Sequence, residues 1–202
     1  MRKELPYFRI DQAYGGSQSW FRDPMMKLGG CGAATACDSC IYLALHGNRP
    51  NLYPLDINQI DKEAYIQFAA KMKPFLRPRM QGINKLELFI DGFQKYLNQI
   101  GGHSLKLEAF SGEHTYEQAK VAVCSQLNQN MPIPFLLLRH KSDTMRDLVW
   151  HWFLILGYEE FEADFMIKIA TYGAYHWISL RELWNTGYKE KGGMIFITEE
   201  RL

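Results

Sequence analysis

The sequence predicts an α+β domain, with a helical N-terminal half packed against an antiparallel sheet that the C-terminal half forms. Two observations favour this class. Residues 32–99 contain stretches with helical spacing of apolar side chains, whereas most of the chain after residue 104 consists of short apolar segments rich in β-branched and aromatic residues. Polar turns separate these segments, so strands that follow one another are expected to pair antiparallel.

The first predicted helix covers residues 32–46 and ends at Gly47. Small or apolar side chains occupy most of its faces, which is typical of a central, buried helix. The thirty residues before it include Gly15-Gly16 and Asp23-Pro24, and we expect an irregular segment there. Residues 48–54 contain two prolines and are predicted to be a loop.

Two further helices are predicted in the N-terminal half. One covers residues 59–72 and stops before Pro74. The other covers residues 85–99, with Asn84 as a candidate N-cap and two glycines after its end.

The C-terminal half begins with residues 104–110, in which apolar and charged side chains alternate as they do in a strand. Residues 115–130 are predicted to be a helix, with either Thr115 or Ser111 as its cap. The remaining predicted strands cover residues 134–138, 149–158, 164–171 and 194–198.

Length and composition indicate one globular domain over residues 1–202. A chain of 202 residues, 47% of them hydrophobic, is large enough to bury a core. The net charge of +1 favours neither a nucleic-acid nor a membrane partner. Residues 1–6 carry charge with no apolar stretch behind them, and no 18-residue apolar span occurs, so neither a signal peptide nor a transmembrane helix is expected.

The cysteines favour a reducing compartment, and the cytoplasm is predicted. Three of the four, Cys31, Cys37 and Cys40, crowd into ten residues, which is a poor layout for a disulfide framework. With His46 they could be zinc ligands, but one continuous helix does not easily wrap four ligands around an ion. A redox role for residues 37–40 lacks the preceding strand that such a site needs. No metal and no cofactor are therefore expected.

Cys31 is the first candidate for chemistry. It lies in the segment 29–36, Gly-Gly-Cys-Gly-Ala-Ala-Thr-Ala, where glycines allow a sharp turn and small residues suit a tightly packed helix. A thiol at the start of a helix lies near the positive end of the helix dipole, which favours the nucleophilic thiolate. The alternative is a cysteine that is simply buried in a tight turn.

A cysteine nucleophile needs a base, and His151 is the strongest candidate of six histidines. It opens the apolar segment 151–158, His-Trp-Phe-Leu-Ile-Leu-Gly-Tyr. A histidine at the head of a central strand is held rigidly and can face a cleft. The alternative is a hydrogen-bonded histidine at a strand end with no chemical role.

Four segments, taken in order, resemble papain-superfamily cysteine peptidases. They are residues 30–34 around Cys31, residues 151–158 beginning with His151, residues 169–173 (Ile-Ala-Thr-Tyr-Gly), and residues 177–180 (Trp-Ile-Ser-Leu). The pattern is similar in particular to the bacterial branch of bacteriocin-processing, double-glycine leader peptidases. The resemblance implies a papain-like fold and a peptide or amide substrate.

The resemblance also implies roles for individual residues. Cys31 would be the nucleophile and His151 the general base and later the general acid. An upstream glutamine would donate to the oxyanion beside the Cys31 backbone N–H, and Gln18 is the candidate. Gln18 lies thirteen positions before Cys31, so a loop must bring it back; otherwise it is an amide that caps a turn.

One position departs from the family pattern. The family orients its histidine with Asp or Asn on the following strand, and the matching position here is Ala170. Thr171 offers a hydroxyl but no carboxylate, and the other candidates to orient His151 are Asp164, Asn185 or a backbone carbonyl.

The favoured function is therefore a cysteine hydrolase, either a peptidase or an amidase, acting through an acyl-enzyme on Cys31. An acyltransferase would use the same residues, and Ala170 leaves open an inactive papain-like binding module. The oligomeric state is not predicted.

Overall fold

The computed structural model describes residues 1–79 and 82–199. Its helices are α1 (Pro24–Gly29), α2 (Cys31–His46), α3 (Lys62–Met72), α4 (Leu86–Gln99), α5 (Tyr116–Asn128) and α6 (Leu180–Trp184). Its strands are β1 (Arg2–Glu4), β2 (Arg9–Ile10), β3 (Ala13–Tyr14), β4 (Leu105–Ser111), β5 (Ile133–Leu137), β6 (His151–Glu160), β7 (Phe165–Thr171), β8 (Ala174–Ser179) and β9 (Gly192–Glu199). Within these described residues, no helix combines the length and the apolar character needed to cross a bilayer.

Seven strands form one antiparallel sheet, so the α+β class is confirmed. Their order is β4-β9-β5-β6-β7-β8, and β1 pairs with the distal half of β6, beyond the end of β5. β6 is the central strand, because β5 and β1 share one of its edges and β7 occupies the other. Its first eight residues are all buried, which explains their continuous apolar run.

α2 is the central helix, as its composition predicts. Nearly every side chain between Cys31 and Ala44 is buried, and the helix packs against β6. Small residues along this helix let its backbone approach the sheet closely. The helix therefore places its first residue, Cys31, at the end of the sheet where the central strand β6 begins.

The caps of the other helices differ in part from the predictions. Thr115, one of two candidates, caps α5 in a capping box with Gln118. Asn84 does not cap α4: the N-cap is Lys85, which makes no side-chain capping bond. Asp61 caps α3, so this helix starts three residues later than predicted.

The prediction of an irregular N-terminal segment is wrong in its extent. The segment contains β1, the β2–β3 ribbon, a 3₁₀ turn over Gln18–Trp20 and α1, which Asp23 caps. These elements are two to six residues long, and β1 exists because it pairs with β6. Short elements with tertiary partners leave no periodic pattern in a sequence.

Neither β8 nor α6 is among the elements predicted from the sequence, although the segment 177–180 spans their junction. β8 is an edge strand of the sheet, and its first half is exposed, so it lacks the continuous buried apolar run of the central strands. A two-residue turn, Tyr172-Gly173, joins it to β7, and both turn residues have positive φ, at 53° and 74°. That is the conformation that tight hairpins require. This turn lies beside the candidate site.

Candidate active site

Cys31 is held at the junction of two helices. The N–H of Gly30 donates to the carbonyl of Met26 within α1, and the Gly30 carbonyl accepts from the Ala34 N–H in the first turn of α2. A Cβ at position 30 would lie 2.3 Å from the Met26 carbonyl oxygen, so only glycine fits. This junction places the thiol at the first position of α2.

Burial decides the protonation state of Cys31. It raises the pKa of the thiol, although the backbone N–H groups of Trp152, Gly32 and Cys31 itself act in the opposite direction. The position at the start of the helix therefore does supply N–H groups that lower the pKa of the thiol, but desolvation raises that pKa by more. Cys31 is therefore a thiol at neutral pH and not the thiolate that the helix dipole alone predicts.

His151 is the first residue of β6, directly before the Trp152 N–H that approaches the Cys31 sulfur. Trp150 precedes it with a φ of 56°, a left-handed conformation that is rare for so large a residue, and its ring is half exposed. The His151 side chain is buried, and desolvation lowers its pKa to about 4. The imidazole is thus neutral at neutral pH and can accept a proton.

Both nitrogens of His151 have hydroxyl partners from the β7–β8 hairpin, one at the end of β7 and one in the turn. Nε2 lies 2.6 Å from the Thr171 hydroxyl. Nδ1 lies 3.3 Å from the Tyr172 hydroxyl, whose ring stacks on the imidazole at 4.4 Å between centroids and 9° between planes. A charge on Cys31 would contribute to the raised pKa of the Tyr172 phenol, which places these two side chains near each other. Cys31, His151 and Tyr172 also line one small cavity together.

Thr171 is the residue that contacts Nε2 of His151, for which the sequence offered several candidate orienting groups. Ala170, the position matched to Asp or Asn, pairs with Leu154 and is buried, and its methyl group offers no hydrogen bond. The hydroxyl of the next residue makes the contact with Nε2 instead. A hydroxyl can donate or accept, so it constrains the ring without selecting a tautomer as a carboxylate would.

Gln18 is brought to the same site, as the loop argument requires. Its Nε2 donates to the carbonyls of Lys27 and Leu28 at the end of α1, at 3.1 and 3.3 Å. Its Oε1 is buried, and no partner for it is present among the described residues. Gln18 and Cys31 line the same cavity, but the amide nitrogen is engaged by α1 in this state.

These residues meet at a small cavity beneath a large groove. The cavity, about 20 Å³, can hold about one water molecule, and it is lined by Cys31, His151, Gln18, Thr171 and Asp38 among others. The groove above it has a volume of about 760 Å³ and is also lined by Cys31, His151 and Gln18. Among the residues that the structure describes, four exposed apolar side chains border the groove: Met25, Leu28, Trp150 and Tyr172.

Three residues of this site were not singled out from the sequence. Trp150 precedes His151 and Tyr172 follows Thr171, both of which the sequence had marked as candidates. Each of the two aromatic residues has a left-handed backbone conformation that no sequence pattern reveals. Asp38 had a readable signal, because it is a carboxylate in an otherwise apolar helix, seven residues after Cys31 and thus on the same helical face.

The other cysteines lie away from this chemistry. All four are free thiols, and burial raises the pKa values of Cys37 and Cys40 well above the usual range. Across residues 1–79 and 82–199, no group of three or more His, Cys, Asp or Glu side chains is arranged to hold a metal ion.

A scan against models of known protein families and a search of curated proteins both return no match. Any family assignment of this chain therefore depends on its own motifs and geometry.

Proposed function

We propose that this chain is a cysteine hydrolase of papain-like fold, a peptidase or an amidase, with Cys31 as nucleophile and His151 as general base. One observation carries the proposal: a thiol at the start of the central helix and a neutral imidazole at the head of the central strand line one cavity under one groove. The helical N-terminal half and the antiparallel sheet agree with that fold.

The protonation states define the first step. Since the thiol and the imidazole are both neutral at rest, the proton passes from Sγ to His151 as the sulfur attacks the carbonyl carbon. Nδ1 is the acceptor in the tautomer whose Nε2–H donates to the Thr171 hydroxyl, 2.6 Å away. The Tyr172 hydroxyl must leave Nδ1 for this transfer, and its contact there is the longer one, at 3.3 Å.

The following steps use the same groups. The tetrahedral oxyanion accepts hydrogen bonds from the Cys31 backbone N–H and from Gln18 Nε2, which must exchange one of its bonds to α1. His151 then returns its proton to the leaving amine, and a thioester forms on Cys31. Water, deprotonated by His151, releases the acid and restores the thiol.

The groove favours an extended substrate with an apolar side chain near the scissile bond. Leu28 and Trp150, 80% and 48% exposed, border it close to Cys31 and His151. Burial of such side chains contributes about 25 cal/mol per Å² of apolar area. A peptide or a substituted amide fits these walls. Four free thiols fit the reducing cytoplasm as the place of action.

Two other functions use the same geometry. An acyltransferase would pass the acyl group from Cys31 to an amine instead of water. A binding module without activity is favoured by Ala170 and by the fact that both His151 nitrogens already have partners.

Thiol reactivity tests the proposal directly. Iodoacetamide labelling is followed by peptide mass in the native protein and in His151→Asn. We expect His151→Asn to slow labelling of Cys31 at least about tenfold, because the base is lost. Cys124, which is partly exposed, serves as the internal reference and keeps its rate. An equal Cys31 rate in both proteins would exclude activation and leave the binding module.

Turnover separates the two enzyme functions. A panel of peptide thioesters and anilides with an apolar residue before the scissile bond is assayed with and without added amines. Hydrolysis that Cys31→Ala abolishes, with an unchanged melting temperature, supports the hydrolase. Product that forms only with an amine supports the acyltransferase.

A further inference from the structure

Asp38 is a buried carboxylate that the proposed reaction does not use. It lies on α2 two turns after Cys31 and accepts three hydrogen bonds from residues far away in the chain. The Tyr7 hydroxyl lies at 2.6 Å and the Tyr65 hydroxyl at 2.7 Å. The Gly16 backbone N–H lies 3.2 and 3.3 Å from its two oxygens. A buried carboxylate with three donors is a strong and directional anchor.

The anchored Gly16 is joined to the turn beside His151. The carbonyl of Gly16 accepts from the Gly173 N–H at 3.0 Å, and the Gly173 carbonyl accepts from the Tyr14 N–H at 2.7 Å. The glycine is required at position 16, because a Cβ there would lie 1.9 Å from the Tyr65 ring. The segment 14–16 therefore bridges α2 and the β7–β8 turn.

That turn supplies the groups that touch both nitrogens of His151. Thr171 and Tyr172 directly precede Gly173, so the position of Gly173 sets the position of both hydroxyls. Ala170 provides nothing toward the imidazole. Among the described residues, the hydrogen-bond partners of the His151 nitrogens thus all come from residues 171–172. Asp38 is linked to this part of the chain through Gly16.

We propose that Asp38 is the positioning residue for His151, acting through Gly16 and the 171–173 turn in place of the side chain that Ala170 lacks. The proposal rests on the proposed function only in taking His151 as the base.

The environment of Asp38 makes the clamp responsive to pH. Burial raises its pKa from 3.8 to about 6, while its three hydrogen bonds act in the opposite direction. The titratable groups that face it are Tyr7 from the N-terminal segment, Tyr65 from α3, Cys37 on its own helix, and Tyr14 beyond Tyr7. All four have pKa values above the ordinary range of their residue type, so Asp38 alone in this cluster titrates near pH 6.

An NMR titration of the whole protein tests the linkage without any assay. We expect the amides of Gly16 and Gly173 and the ring signals of His151 to shift together with a midpoint near pH 6. The His151 ring does not itself titrate there, because its pKa is about 4. A His151→Asn spectrum identifies the ring signals, and a His176→Asn background removes the histidine of the β7–β8 hairpin. If Gly16 shifts near pH 6 while Gly173 and His151 do not, the proposal is overturned.

Asp38→Asn tests the effect on reactivity, with Asp61→Asn as the matched control because Asp61 caps the helix that carries Tyr65. We expect Asp38→Asn to slow Cys31 labelling about five- to tenfold and to remove an inflection near pH 6 from the rate–pH profile. The control keeps both the rate and the inflection. A uniform loss of rate that leaves the inflection in place would show a structural role only.

The two proposals fail in different ways. If Cys31 labelling is independent of His151 but the coupled shifts near pH 6 are present, the hydrolase is wrong and the clamp stands. If labelling depends on His151 but neither Asp38→Asn nor the titration affects the ring, the clamp is wrong and the hydrolase stands. If Asp38→Asn does not fold, the native titration decides the question alone.

Discussion

His151 is a buried, neutral imidazole whose two nitrogens both have hydroxyl partners. Its neutrality follows from desolvation, which lowers its pKa to about 4, while desolvation raises the pKa of the Cys31 thiol. The two shifts act in opposite directions and together disfavour a resting thiolate–imidazolium pair. The proposed enzyme thus deprotonates its thiol only during attack, when a substrate displaces Tyr172 from Nδ1.

Tyr172→Phe tests this displacement. The ring stack on His151 remains, but the hydroxyl that competes for Nδ1 is lost. We expect Cys31 labelling to accelerate about fivefold, since one hydrogen bond contributes about 1 kcal/mol.

Tyr175→Phe is the matched control for that variant. Tyr175 lies on the same hairpin, where its ring packs on Tyr14 and Lys168. Its loss of a hydroxyl should leave the Cys31 rate unchanged. A slower rate in Tyr172→Phe would mean that the phenol assists the base instead of blocking it.

At the scale of elements, β1 pairs with β6 and is also linked to β7 by a mostly buried ion pair. The side chain of Lys168 on β7 is only 7% exposed, and it pairs with Glu4 on β1. Its ammonium also lies 4.6 Å from the Tyr14 ring centroid and 4.2 Å from that of Tyr175. These contacts tie β1 and β3 to the hairpin that supports His151.

Two variants separate the charge of this pair from its packing. Glu4→Gln leaves a buried ammonium without its counter-ion, and we expect it to lower the free energy of unfolding by about 1–3 kcal/mol. Lys168→Met removes the charge and keeps the apolar stem between the two rings, so the loss should be smaller. Urea unfolding measures both; a larger loss in Lys168→Met would show that the cation–ring contacts dominate.

At the scale of the whole molecule, two buried groups link stability to pH with opposite signs. His151 has a lowered pKa, so the unfolded chain binds its proton first, and stability falls as pH drops from 6.5 to about 4. Asp38 has a raised pKa, so the folded chain binds its proton first, and stability rises as pH drops from about 6 to 3.8. Each effect amounts to about 3 kcal/mol, and over this window they nearly cancel.

Single substitutions should reveal each slope. Between pH 7.5 and 4, native protein is expected to gain about 3 kcal/mol of unfolding free energy relative to Asp38→Asn. Over the same interval it is expected to lose about 3 kcal/mol relative to His151→Asn. Denaturant unfolding at a series of pH values measures both differences. If the unfolding free energies of native protein and variant change with pH in the same way, the substituted group does not have the shifted pKa described.

Local pattern was enough to predict the long elements and to place Cys31 at the start of a helix and His151 at the start of a strand. The central helix, the helix α5 and the buried strand after His151 follow from periodicity, because this effect acts within a few residues, while the α5 cap was narrowed to Thr115 or Ser111. The short N-terminal elements and β8 could not be predicted in this way. They are stabilised by pairing with distant strands and carry no periodic apolar signal.

The sequence by itself determined that a cysteine begins a buried helix and that a histidine begins a buried strand, since composition sets which segments are withdrawn from water. Only the tertiary structure decided which groups touch the imidazole, that Asp38 holds the turn beside it, and that thiol and imidazole rest uncharged. Those properties depend on desolvation and on contacts between residues far apart in the chain, such as Gly16 with Asp38 and Gly16 with Gly173. Both exist only once the chain has packed.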